Sequence, residues 1–193
     1  MAIPPHDRPP PYDLSNFTIL VVEDSAYMHS LIASMLKAFS VGDIMVCEGG
    51  DEAKDLLKVT QARTKSSYIN SVDIILMDWL MARGSGEALI RWIRSHEREE
   101  IRFLPVVVVS GYTTDVIASK ARDLGANEVM VKPVSAKGLA SRICSVIDNP
   151  RPFVQAPDYF GPDRRRRELP FRGADRRVMS TEFVKVENVK IDW

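Results

Sequence analysis

Ile74-Ile75-Leu76-Met77-Asp78 decides the fold. Its continuous apolar run suits a strand buried on both faces, as inside a parallel sheet, rather than a half-exposed strand with alternating polarity. The run ends in a carboxylate. An acid directly after such a strand stands at a sheet edge, where open α/β folds hold their ligands, so Asp78 is the first candidate for chemistry.

Similar runs lie on either side. Phe17 to Val22 ends in Glu23-Asp24, the almost entirely β-branched Leu104 to Val109 ends in Ser110-Gly111, and Glu128 to Val131 ends in Lys132-Pro133. A shorter strand is expected at Ile44 to Cys47. Between them the apolar spacing turns helical. Ser25 caps a first helix carrying Leu31, Ile32, Met35, Leu36 and Phe39, and Gly42 stops it. Gly49-Gly50 opens a second, with Ala53, Leu56, Leu57 and Val59 facing the core as far as about Arg63. Residues 64 to 72 read as a long polar loop. Gly84 and Gly86 allow a tight loop beside a ligand, followed by a third helix marked by Ala88, Leu89, Trp92 and Ile93. Thr113 or Thr114 caps a fourth helix, which Gly125 ends, and Ser135 to Ile147 forms a fifth with Leu139, Ile143, Val146 and Ile147 on one face. Strands alternating with helices predict an α/β fold with a doubly wound, five-stranded parallel sheet, flavodoxin-like (βα)5, in the order 2-1-3-4-5.

At 193 residues, 45% apolar and 27% charged, the chain suffices for one sizeable core plus extensions. The expected division is a Pro-rich lead-in over 1–14, a folded domain over 15–149 and an Arg-rich extension over 150–193. The 26 basic and 26 acidic side chains cancel, so no global field steers the chain to nucleic acid or membrane. Cys47 and Cys144 read as buried free thiols, and His6, His29 and His96 are too scattered for a zinc site. With neither a targeting segment nor an apolar run long enough to span a bilayer, the expected location is the cytoplasm, with no membrane partner.

In a parallel sheet all strand C-termini share one edge, so Glu23-Asp24, Asp78, Ser110 and Lys132 become neighbours. Carboxylates gathered there repel one another unless they hold a hard cation, and Mg²⁺ prefers oxygen ligands. A carboxylate beside that metal can attack a phosphoryl group and become an acyl phosphate. Lys132 can pair with phosphoryl oxygens as a point charge, and the Ser110 hydroxyl can donate to another.

Glu23-Asp24, Ile-Ile-Leu-Met-Asp78, Ser110-Gly111 and Lys132-Pro133, in this order and spacing, resemble the receiver domain of two-component response regulators over about residues 16 to 148. The resemblance implies that Asp78 accepts a phosphoryl group from a histidine kinase or phosphotransfer protein. It implies Mg²⁺ on Asp24, Asp78 and the backbone carbonyl of Leu80, with Glu23 acting largely through water. Ser110 becomes the switch hydroxyl, Lys132 the phosphoryl ion pair, and Lys132-Pro133 a cis peptide. Downstream contacts are expected on the face of the fourth helix, fifth strand and fifth helix, and a second copy of the chain is one candidate partner. Two positions depart from the pattern. Ala82 stands where a proline is expected, implying a less rigid loop, and Val129 replaces the aromatic switch residue, leaving Tyr112 as a substitute.

The extension holds an internal echo, Phe160-Gly161-Pro162-Asp163-Arg164-Arg165 against Arg172-Gly173-Ala174-Asp175-Arg176-Arg177, with seven arginines and three acids between Asp163 and Arg177. Its forked guanidinium groups suit an acidic protein surface, nucleic acid or the chain's own receiver. Phe183 to Val186 and Val189 to Ile191 could add a strand to a partner. An aspartyl-nucleophile phosphatase is disfavoured because Leu80 occupies the position of the second acid that such enzymes need.

Overall fold

The computed structural model describes residues 13–62, 70–111 and 115–164 and the backbone of 182–184. Five strands, β1 (Thr18–Val22), β2 (Asp43–Cys47), β3 (Ile74–Asp78), β4 (Val106–Ser110) and β5 (Glu128–Val131), form one parallel sheet in the order β2-β1-β3-β4-β5. This is the doubly wound topology predicted from the sequence. The helices are α1 (Ala26–Ala38), α2 (Gly50–Thr60), α3 (Gly86–Ser95), α4 (Glu99–Arg102), α5 (Asp115–Asp123) and α6 (Ala136–Asp148).

β3 shows why the apolar run has no polar face. Ile75 and Met77 pack with Ala53 and Leu57 of α2 and Leu89, Ile90 and Ile93 of α3. Ile74 and Leu76 point the other way, to Ile32 and Leu36 of α1 and Leu139 and Ile143 of α6. Each such side chain stabilises the fold by roughly 1.5–3 kcal/mol through burial. Ser25, Ser85 and Ser135 cap α1, α3 and α6, each accepting a hydrogen bond from a first-turn amide.

Several local readings shift. α1 ends before Gly42, where Phe39 caps it and Ser40 takes a left-handed φ of 59°. Gly42 is needed for space instead, since a Cβ there would lie 1.8 Å from the Ser15 carbonyl oxygen. Val59, expected in the core, is 57% exposed. Cys47 is buried as a free thiol, and Cys144 is half-buried. Residues 1–12 of the 1–14 lead-in, most of the 64–72 loop, Tyr112, the Thr113 and Thr114 caps, residues 165–181 with most of the Arg-rich run, and 185–193 with its Val189 to Ile191 stretch lie outside the described residues, while Leu14 at the end of the lead-in is buried in the core.

The sheet's far edge carries an addition. β6 (Phe153–Ala156) and β7 (Tyr159–Pro162) form an antiparallel hairpin, and β8 (Glu182–Val184) pairs with β6. Phe183 and Val184, expected to add a strand to a partner, therefore complete a sheet within this chain. Phe153 and Phe160 meet Phe103 with ring centroids 4.9 and 5.2 Å away. Packing thus continues past residue 149, the expected end of the folded domain.

Arg94 anchors this corner. It is 5% exposed and donates to the carbonyls of Gly125, Arg102 and Leu104 and to Asn127 Oδ1. Burial lowers its pKa to about 9, so at neutral pH it remains a cation, and Phe153 lies 5.0 Å from it.

Candidate functional site

Parallel registry delivers the predicted residues to one edge. Val22 pairs with Met77, Asp78 with Val109 and Ser110 with Val131, so Glu23-Asp24, Asp78, Ser110 and Lys132 leave the sheet side by side. The backbone reinforces this alignment, with Lys132 N–H donating to the Ser110 carbonyl at 2.8 Å and Trp79 N–H to that of Val109 at 3.1 Å. The Lys132–Pro133 peptide is cis, as the resemblance implies.

Glu23, Asp24 and Asp78 each place a carboxylate oxygen within 4.8 Å of the others. Glu23 is 1% exposed, and Asp78 is also buried. Lys132 Nζ lies 2.8 Å from Glu23 Oε2 and 2.8 Å from Asp78 Oδ2, bridging the two buried acids. Burial works against the Lys132 ammonium, but its hydrogen bonds to Asp78 and Glu23 prevail and raise its pKa above the ordinary lysine value. Glu23 Oε1 accepts from Ser25 N–H at 3.2 Å, and Asp78 Oδ1 from Leu80 N–H at 3.3 Å. Ser110 is buried at the end of β4.

Three carboxylates and one ammonium leave a formal excess of two negative charges, and every side-chain donor in the cluster is a hard oxygen. That set fits a divalent cation of the magnesium type. It is the one group of potential metal-binding side chains of this kind among the described residues.

The loop between β3 and α3 is tied at several points. Gly86 N–H donates to the Trp79 carbonyl and Gly50 N–H to that of Arg83, both at 3.0 Å. A Cβ on Gly86 would lie 2.6 Å from the Asp78 carbonyl oxygen, so this glycine permits α3 to start against the strand end. Ala82 N–H donates to Asp24 Oδ2 at 2.7 Å. Residue types gave no signal for this last contact, because a backbone amide makes it. The loop expected to be looser without a proline is tied to the acid cluster through the N–H that proline lacks. Val129 packs partly buried against the core, next to Val108 in register.

Comparison with known proteins agrees with this architecture. Residues 19–144 match the response regulator receiver domain family, and the chain belongs to it. A chemotaxis protein CheY homolog of Campylobacter jejuni is 30% identical over 129 residues, covering 67% of this chain and 91% of the relative. The phosphate regulon transcriptional regulatory protein PhoB of Escherichia coli is 27% identical over 142 residues, 70% of this chain but 54% of that longer protein. A response regulator receiver protein from Pseudomonas putida superposes with a TM-score of 0.55 at 29% identity, covering 66% of this chain and 94% of the other. The family match stops at residue 144, before the hairpin.

Proposed function

We propose that the chain is a phosphorylation-dependent signalling switch whose phosphoacceptor is Asp78. The observation that carries this reading is the convergence of Asp78, Glu23, Asp24 and Lys132 at one strand edge, with Lys132 bonded to both buried acids. A carboxylate oxygen of Asp78 attacks the phosphorus of a phosphohistidine on a histidine kinase or phosphotransfer protein. The new P–O bond makes an acyl phosphate as the P–N bond breaks, and its electron pair returns to the imidazole nitrogen.

Glu23, Asp24, Asp78 and the Leu80 carbonyl would hold Mg²⁺, which when bound neutralises charge on the transferring group. Lys132 transfers its ion pair from the Asp78 carboxylate to the phosphoryl oxygens, and Ser110 donates its hydroxyl to another of them. The new group brings charge to a crowded edge and must draw in Ser110 and the loop after it. Because Val129 is aliphatic, the signal runs through Ser110, that loop and α5 rather than an aromatic rotamer.

Output then takes the form of protein contacts on the face of α5, β5 and α6, where Val116 is 73% and Val131 40% exposed. Among the described residues no helix is long and apolar enough to cross a membrane, in keeping with a cytoplasmic role. With Mg²⁺ and a radiolabelled small phosphodonor, the wild-type chain is expected to take up label and Asp78→Asn to take up none. Equal labelling of the variant would move the site elsewhere.

A further inference from the structure

We propose that the backbone N–H of Ala82 is a positioning group for the cation site, an inference that rests on reading Glu23, Asp24 and Asp78 as Mg²⁺ ligands. Glu23 and Asp78 are buried and fixed by Lys132, whereas Asp24 is exposed on the loop after β1. An exposed aspartate rotates among several orientations and loses that freedom on binding a metal. Asp24 Oδ2 accepts the Ala82 N–H at 2.7 Å across 58 residues of sequence. This is a short, charge-assisted bond. It holds the carboxylate within reach of the Glu23 and Asp78 oxygens, and a carboxylate oxygen that accepts one N–H retains lone pairs for a cation.

The same bond fixes the loop that carries Leu80, whose carbonyl is the fourth proposed ligand. Other ties hold that loop independently: Leu80 N–H to Asp78 Oδ1, Gly50 N–H to the Arg83 carbonyl, and Gly86 N–H to the Trp79 carbonyl. Loss of the Ala82 N–H therefore frees Asp24 without dismantling the loop. Hydrogen-bond partners that orient a metal ligand commonly contribute about 10-fold or more in metal affinity.

The test is isothermal titration of the full chain with MgCl₂. Ala82→Pro removes the N–H, and replacing Ala82 by lactic acid exchanges the N–H for an ester oxygen with the side chain unchanged. Ala82→Ser keeps the N–H. The first two are expected to bind Mg²⁺ about 10-fold more weakly than wild type. Ala82→Ser should match wild type, and all three should melt within a few degrees of it. Proline and ester variants that bind like wild type would overturn the positioning role. If wild type binds no Mg²⁺, or Asp24→Asn binds it equally well, the metal reading itself fails.

Discussion

Glu23 is almost cut off from water and holds the Lys132 ammonium and the Ser25 amide. Removing Lys132 strands a buried carboxylate beside a second acid, which costs about 3–5 kcal/mol. Lys132→Ala should lower the urea midpoint accordingly, and adding Glu23→Gln should recover part of the loss; no recovery would contradict the pairing. A second buried group titrates on the alkaline side. Burial, reinforced by Glu52, pushes the Cys47 thiol up to about 12. Its folded pKa lies above its unfolded value of 9.0, so its contribution is intact below the unfolded value and drains away as pH rises toward about 12. Relative to Cys47→Ala, the wild-type urea midpoint should hold steady up to about pH 8 and fall behind above about pH 9. A difference that stays flat would contradict the burial argument. At this scale the sequence shows residues whose type is unusual for their place, such as Asp78 after an apolar strand. It hides Ala82, which contributes only its backbone amide, and Ser40, which takes the left-handed φ at the end of α1 two places before the glycine expected to stop that helix.

At the scale of elements, β1, β3 and β4 were legible because parallel burial writes itself as long apolar runs, β5 from a short Val-Met-Val run closed by Lys132-Pro133, and α1 and α6 because serine caps precede helical spacing. The hairpin was not. Phe153–Ala156 and Tyr159–Pro162 have four residues each, and a glycine and a proline interrupt the second. What makes it is a meeting of distant residues. A Cβ on Gly161 would lie 2.7 Å from Gly125 Cα, and Gly125 itself has a φ of 97° beside Arg94. Phe160 fills the space by Phe103, with the Arg102 guanidinium 3.7 Å from its ring centroid. Gly161→Val is expected to cost about 1–3 kcal/mol of stability by overpacking, read by urea unfolding. A neutral result would mean that the hairpin does not grip this corner. Arg94→Leu should cost about as much or more, because three carbonyls lose the Arg94 donor and Asn127 Oδ1 is left with only the Val106 N–H.

For the whole molecule, parallel topology brings residues 23, 78, 110 and 132 to one edge, so site and fold follow from the same pattern. The hairpin, a turn-rich addition beyond the matched family region, seals the region before β4 and β5, away from that edge. Glu128, at the start of β5, binds both Arg142 of α6 and Arg151 just before the hairpin, at 3.1 and 3.0 Å. Arg164, first of the arginine run, pairs with Asp123 at the end of α5 and lies over the Tyr159 ring. One member of the first Gly-x-Asp-Arg-Arg copy is thus engaged within the chain, beside the helix proposed to carry the output. The signalling role rests on transfer of the phosphoryl group to the acid at the end of β3. Reductive trapping tests that most directly. The full chain is phosphorylated with Mg²⁺ and a small phosphodonor, treated with borohydride, which converts an aspartyl phosphate to homoserine, and mapped by peptide mass spectrometry. Homoserine at position 78, absent without phosphodonor, is the predicted result; homoserine at another aspartate, or a phosphoryl group found on a different residue with Asp78 unchanged, would contradict the account.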